Sequence, residues 1–158
     1  MSKQITPCLW FDFQAEEAAT FYTSIFRNSK ILNISRYGKE GFEHHRQKEG
    51  TVWTVSFQIN GQPFMALNGG PLFQFSEAIS FQYFCDTQEE IDECWEKLTA
   101  DGQEIQCGWL KDKYGISWQI IPSILTELLN NPQTKQNVTA ALMEMKKFNI
   151  KQLIEASK

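Results

Sequence analysis

Only two histidines occur in the chain, adjacent at His44 and His45 beside Glu43 and Arg46, and the cysteines number four, at Cys8, Cys85, Cys94 and Cys107. None of these forms a CxxC pair or the Cys/His spacing of a zinc finger. Side chains of neighbouring residues on an extended segment point apart, so the two imidazoles are not expected to chelate together. They read as a solvated loop pair, and the functional alternative is a mobile lid bringing one of them to a cavity mouth as acid or base. Cys107 is the weak catalytic candidate. A thiolate there would need a neighbouring cation, imidazole or helix N-terminus, for which Lys111 or Lys113 could serve, whereas a buried structural thiol needs none of these. Cys8, Cys85 and Cys94 read as structural thiols. The carboxylate pairs Glu16/Glu17 and Glu89/Glu90 fall at predicted helix starts, where the macrodipole favours negative charge, and are not acid/base pairs. Asp112 is expected to bond its own turn as an Asx residue, with Tyr114 and Gly115 completing that turn.

A richer signal lies in the strands. Trp53, Val55, Phe57 and Ile59 alternate with Thr54, Ser56 and Gln58; Phe81 and Tyr83 alternate with Ser80 and Gln82; Trp118 and Ile120 alternate with Ser117 and Gln119. One face is apolar and the other carries hydroxyls and amides. The polar face looks either into solvent or into a concave pocket, which makes Thr54, Ser56, Ser80, Gln82 and Gln119 the candidate ligand-binding residues. Trp10, Trp53, Trp109 and Trp118 read mainly as core, and Trp109 or Phe57 could stack a planar ligand at a pocket edge.

The elements that must hold this face come from an internal repeat. A shift of 73 residues lays Phe11 to Ala18 on Phe84 to Ile91, Tyr22 on Trp95 and Ile25 on Leu98, and pairs Ile31–Ser35 with Glu104–Gly108. In the first copy a strand is predicted over 6–12, a helix over 15–27 and a strand over 31–37. A polar loop over 38–50 then precedes a hairpin of 52–59 and 62–67 joined at Asn60-Gly61. In the second copy the spacing predicts a strand over 79–85 and a helix over 88–100, with Thr87 and Glu90 as a capping box and Gly102 beyond its end. Strands over 104–110 and 116–121 follow. Each copy is thus β-α-β-β-β. After Pro122 the pattern turns helical, with a stripe of Ile124, Leu125, Leu128 and Leu129 and a later apolar region from Ala140 to Leu153. The expected organisation is α+β: one domain over 1–122, built of modules at about 4–70 and 77–122, with a helical extension over 123–158 that packs on the sheets or, alternatively, on a second subunit.

Composition agrees with one globular domain, since 158 residues with 42% hydrophobic and 13% aromatic content can bury a core. Fifteen basic against nineteen acidic residues give a net charge of −4, and no stretch forms the basic stripe that nucleic acid requires. No apolar run is long enough to span a membrane, and the first ten residues lack a charged, apolar leader, so a soluble cytoplasmic protein with reduced thiols is expected.

The string Cys107-Gly108-Trp109-Leu110-Lys111-Asp112-Lys113-Tyr114-Gly115-Ile116-Ser117-Trp118-Gln119-Ile120-Ile121-Pro122, together with Ile5 to Phe11 and Phe21-Tyr22, resembles the PhnB-like branch of the glyoxalase/bleomycin-resistance/dioxygenase (vicinal oxygen chelate) superfamily, a branch that also carries a 3-demethylubiquinone-9 3-methyltransferase label. The resemblance covers essentially the whole chain. It implies two paired βαβββ modules, each curling its sheet round a cavity, often in a homodimer. It also implies that metal-dependent members place His and Glu where this chain has Pro7, Thr54 or Ser56, Ser80 and Gln119. None of these is a strong ligand, so no metal and no cofactor are expected. The methyltransferase label finds no support in the residues, because no Gly-rich turn follows the first strand and the modules do not alternate as a parallel α/β sheet. The resemblance therefore implies a metal-free binder of a small polar or aromatic ligand. The alternative is an enzyme of the superfamily, a lyase, isomerase or dioxygenase, with an atypical metal or Cys107 thiol site. A third reading fills the cavity with side chains and leaves the tail only a dimerisation role.

Overall fold

The computed structural model describes residues 3–158, which fall into two compact units divided between Gln74 and Phe75. The first contains β1 (Cys8–Phe11), α1 (Ala15–Ile25), β2 (Lys30–Arg36), α2 (Phe42–His45), β3 (Val52–Ile59) and β4 (Gln62–Asn68). Its sheet runs β1-β4-β3-β2, with β1 parallel to β4 and the remaining pairs antiparallel. Asn60 and Gly61 both take positive φ, 46° and 81°, which matches the twist of a two-residue hairpin loop and joins β3 to β4 as expected. Ala15, Ala18, Ala19, Tyr22 and Ile25 form the buried face of α1. Tyr22 lies over Phe57 at 6.3 Å between ring centroids, and Phe57 stacks on Phe64 at 5.4 Å. Phe57 is therefore core and takes no part in a pocket edge. The start of α1 is capped from a distance: the buried Asn68 accepts the Ala15 N–H at 2.9 Å and donates to the Val52 carbonyl at 3.1 Å.

The second unit repeats this order with β5 (Ser80–Cys85), α3 (Gln88–Thr99), β6 (Gln103–Glu104), β7 (Trp109–Lys111) and β8 (Ser117–Pro122), arranged β5-β8-β7-β6 with β5 parallel to β8. The shared strand order is the structural counterpart of the 73-residue repeat. Thr87 Oγ1 accepts the Glu90 N–H at 3.2 Å, and the Glu90 carboxylate reaches back to the Asp86 N–H at 2.8 Å, so the predicted cap forms one residue wide of the usual reciprocal pair.

Three expectations are corrected. The strand predicted over 104–110 is broken into β6 and β7, because Cys107 (φ 57°) and Gly108 (φ 78°) are both left-handed and turn their N–H groups out of the sheet. The polar loop over 38–50 contains the short helix α2, which opens at Gly41 with φ 76°. Trp53, expected on the apolar face, sits near the start of β3 at 46% exposure and stacks on Tyr37 at 5.4 Å.

After β8 the chain forms α4 (Leu125–Asn130), α5 (Lys135–Met143) and α6 (Ile150–Ala156). These helices pack within the second unit through Ile121, Leu125, Val138, Phe148 and Leu153. The outward-turned amides explain the docking: Cys107 N–H donates to the Met145 carbonyl at 2.7 Å and Gly108 N–H to the Lys146 carbonyl at 2.8 Å. A Cβ on Gly108 would run into the Phe148 ring and the Ile120 carbonyl, so only glycine lets the tail approach this closely.

Candidate functional site

Pairing register assigns the faces of the second sheet. Ser80, Ser117 and Lys111 are register partners in one row, and Gln82, Gln119 and Trp109 are partners in the next. Paired residues share a face and alternate along each strand, so a third row holds Phe84 and Ile121. The opposite face turns Trp118 and Ile120 inward, 2% and 0% exposed. The candidate face thus grades from polar to apolar along its strands, a change the shorter Ser/Gln alternation did not reveal.

Side chains on this face are tied in series. Gln82 Nε2 donates to Gln119 Oε1 at 3.2 Å, and Gln119 Nε2 donates to Ser80 Oγ at 2.8 Å. Ser117 Oγ, on the same face, is buried and has no hydrogen-bond partner among the described residues. Beyond the ladder opens a cavity of about 370 Å³. Its sheet side carries Gln82, Gln119 and Trp109; its far side is built from the tail by Leu125, Leu129, Leu142 and Phe148, and Cys107 and Thr126 also reach it. No Asp, Glu, Lys, Arg or His lines it. Trp109 is therefore a pocket wall, the alternative to its reading as core.

Three of the five sequence-derived ligand residues, Ser80, Gln82 and Gln119, are brought into contact. Thr54 and Ser56 belong to the first unit, where Thr54 Oγ1 and Ser35 Oγ bond at 2.5 Å and Ser56 Oγ donates to the Asn33 carbonyl at 3.5 Å. Sequence reasoning missed the tail residues of the cavity. Their apolar spacing marked them as helical, but nothing in the spacing tells which sheet face a helix will cover.

The remaining chemical candidates resolve individually. His45 Nδ1 accepts the Gln47 N–H at 2.9 Å, which leaves Nε2 as the donor to the Glu40 carbonyl at 3.1 Å, and the ring lies on Tyr37 at 4.7 Å between centroids. Both nitrogens are thereby committed within the first unit. His44 is exposed beside Glu43 at 3.5 Å. Cys107 Sγ faces Met143 Sδ at 3.6 Å, and Met143 brings neither the cation nor the imidazole that activation needs. Lys111 instead pairs with Glu77, whose carboxyl that ammonium holds below the usual carboxylate value. Cys85 is buried beside Cys94, and the Cys94 thiol together with burial pushes it far above the ordinary thiol value, so it stays neutral. Asp112 is buried and structural: Oδ1 accepts the Tyr114 and Ile116 N–H groups at 2.9 and 3.0 Å, and Oδ2 accepts Trp118 Nε1–H at 2.9 Å. That extends its expected turn role into the core.

Among the described residues no group of three or more His, Cys, Asp or Glu is placed to hold a metal ion. The strand positions implied for ligands carry a hydroxyl at Ser80 and a neutral amide at Gln119, already bonded to one another. This donor set does not fit a divalent transition metal, which prefers imidazole, thiolate or carboxylate.

Two sheets of order β-α-β-β-β, each with its first strand parallel to its last, define a protein of the glyoxalase fold. The family model described as 3-demethylubiquinone-9 3-methyltransferase matches residues 3–121, and the chain belongs to that PhnB-like family. The PhnB protein of Bacillus cereus, provisionally named a 3-demethylubiquinone-9 3-methyltransferase, is 41% identical at a TM-score of 0.68, over 77% of this chain and 100% of its own. Protein PA1353 of Pseudomonas aeruginosa shares the fold at 16% identity and a TM-score of 0.62, over 77% of this chain and 98% of its own. The fosfomycin resistance protein FosX of Listeria monocytogenes does so at 19% and 0.56, over 83% and 99%. No curated protein matches the chain. No helix among the described residues is long and apolar enough to cross a membrane.

Proposed function

We propose that this protein binds a small polar or aromatic molecule without a metal, using Ser80, Gln82 and Gln119 as the polar floor of the second unit's cavity. Thr54 and Ser56 are the ligand-facing positions proposed for the first unit. The observation that carries this reading is the pair of Gln82 and Gln119 amides lining an uncharged cavity of about 370 Å³, with Gln119 tied back to Ser80; the volume is within the usual range of ligand pockets. A homodimer is proposed from the fold class, and a reducing cytoplasm from the four free cysteines.

Native mass spectrometry with elemental analysis of the freshly purified protein tests this. A metal-free dimer, with or without a retained organic molecule, is the expected result. Stoichiometric iron, zinc, nickel or manganese would overturn it. A thiol-dependent enzyme of the superfamily is the second reading, favoured by the presence of Cys107 in the cavity wall. Turnover lost on Cys107→Ala would select it, and ligand binding retained in that variant without any turnover would select the binder.

A further inference from the structure

We infer that the helical tail completes the pocket and sets its specificity, selecting a neutral, flat ring that carries an amide or lactam edge. This rests on the cavity's being the ligand site. The family match ends at residue 121, while Leu125, Leu129, Leu142 and Phe148, which build the far wall, all follow it. The wall is held in place by directed bonds. Besides the amides of Cys107 and Gly108, the Gln88 carboxamide clamps the chain entering α6, donating to the Phe148 carbonyl at 3.0 Å and accepting the Ile150 N–H at 2.9 Å. The wall therefore belongs to the folded unit.

Ligand chemistry follows from what the walls offer. A charged molecule would lose its hydration with no counter-charge among the lining residues, so the occupant is neutral. Trp109 on the sheet and Phe84 and Phe148 beside it supply aromatic surface for a flat ring. The ladder uses one N–H of Gln82 and leaves its Oε1 without a partner among the described residues. The Gln82 amide therefore keeps a carbonyl acceptor and one further N–H for a ligand. The complementary edge is one donor next to one acceptor, as in an amide or lactam.

The test uses the full chain and three ligands with one ring and different charge: naphthamide, naphthoate and naphthylmethylammonium, each titrated by calorimetry and by tryptophan fluorescence. Naphthamide should bind at least about tenfold tighter than either ion. Leu142→Trp and Thr126→Trp, which fill the pocket from the tail, should each weaken it by a similar factor, about tenfold. Thr126 lies at an exposed position of the lining, so its variant tests the tail even where Leu142→Trp unfolds the protein. Equal or tighter binding of an ion, or no binding of naphthamide at millimolar concentration, would overturn the ligand class. Undiminished naphthamide affinity in Thr126→Trp, with loss in Gln119→Leu, would overturn the tail's role and leave the sheet-face site standing. Failure of the underlying reading is separate, since that appears as a stoichiometric metal in the native mass.

Discussion

At the scale of single residues, Asp112 shows how a polar group can be indispensable without being catalytic. Its three short bonds satisfy two backbone N–H groups and the Trp118 indole inside the core. Asp112→Ala strands those donors, and each buried unsatisfied donor costs about 1–3 kcal/mol. A loss of about 2–4 kcal/mol in urea unfolding is expected, with Asp112→Asn losing less because it keeps the Oδ1 acceptor. A change below about 0.5 kcal/mol in Asp112→Ala would show that water replaces the carboxylate there. The Asx part of this role was legible in the Asp112-Lys113-Tyr114-Gly115 turn, but the bond to Trp118 was not, because it depends on a side chain six residues away across a hairpin. Cys107 was similarly half legible: its type suggested a buried thiol, and only its left-handed backbone puts it at the cavity wall.

At the scale of elements, docking of the tail depends on Gly108 and on α3. Gly108→Ala adds a Cβ against Phe148 and the Ile120 carbonyl at φ 78° and should destabilise the protein by about 2 kcal/mol, of which about 1–2 is backbone strain. Hydrogen exchange at the Cys107 and Gly108 amides should accelerate in that variant; unchanged protection would mean that the tail is held elsewhere. Lys147, between α5 and α6, pairs with Asp92 of α3 at 2.5 Å and holds the Asp92 carboxyl below its usual value. A depressed carboxyl stabilises the fold above its unfolded value, near 3.9, and loses that contribution as pH falls through the folded value. The pair is largely exposed, so Asp92→Asn should cost only ~0.5 kcal/mol at neutral pH, with the difference from the parent vanishing in acid and shrinking in high salt. A difference that persisted below pH ~2 would assign the effect to something other than this charge. Local pattern made α1, α3 and the hairpin readable, since each carries its own periodicity, with a side-chain cap at Thr87 for α3 and the Asn60-Gly61 turn for the hairpin. The break between β6 and β7 was hidden, because the left-handed pair at 107–108 is stabilised by carbonyls nearly forty residues later.

At the scale of the whole molecule, an uncharged site predicts indifference to metal. Treatment with a strong chelator should leave the unfolding midpoint and naphthamide affinity unchanged, whereas a fall in either would reveal a divalent ion bound to the folded state. From sequence alone came the repeat, the β-α-β-β-β order of each module, the family and the poverty of metal donors, since these depend on local periodicity and residue type. Tertiary structure decided which polar residues meet and what closes over them. Ser80, Gln82 and Gln119 become one ladder because β5 lies parallel to β8 in that register. The apolar tail becomes a pocket wall because the two turned-out N–H groups of Cys107 and Gly108 donate to its carbonyls. Both outcomes rest on contacts between residues distant in the chain, whose geometry no local pattern encodes.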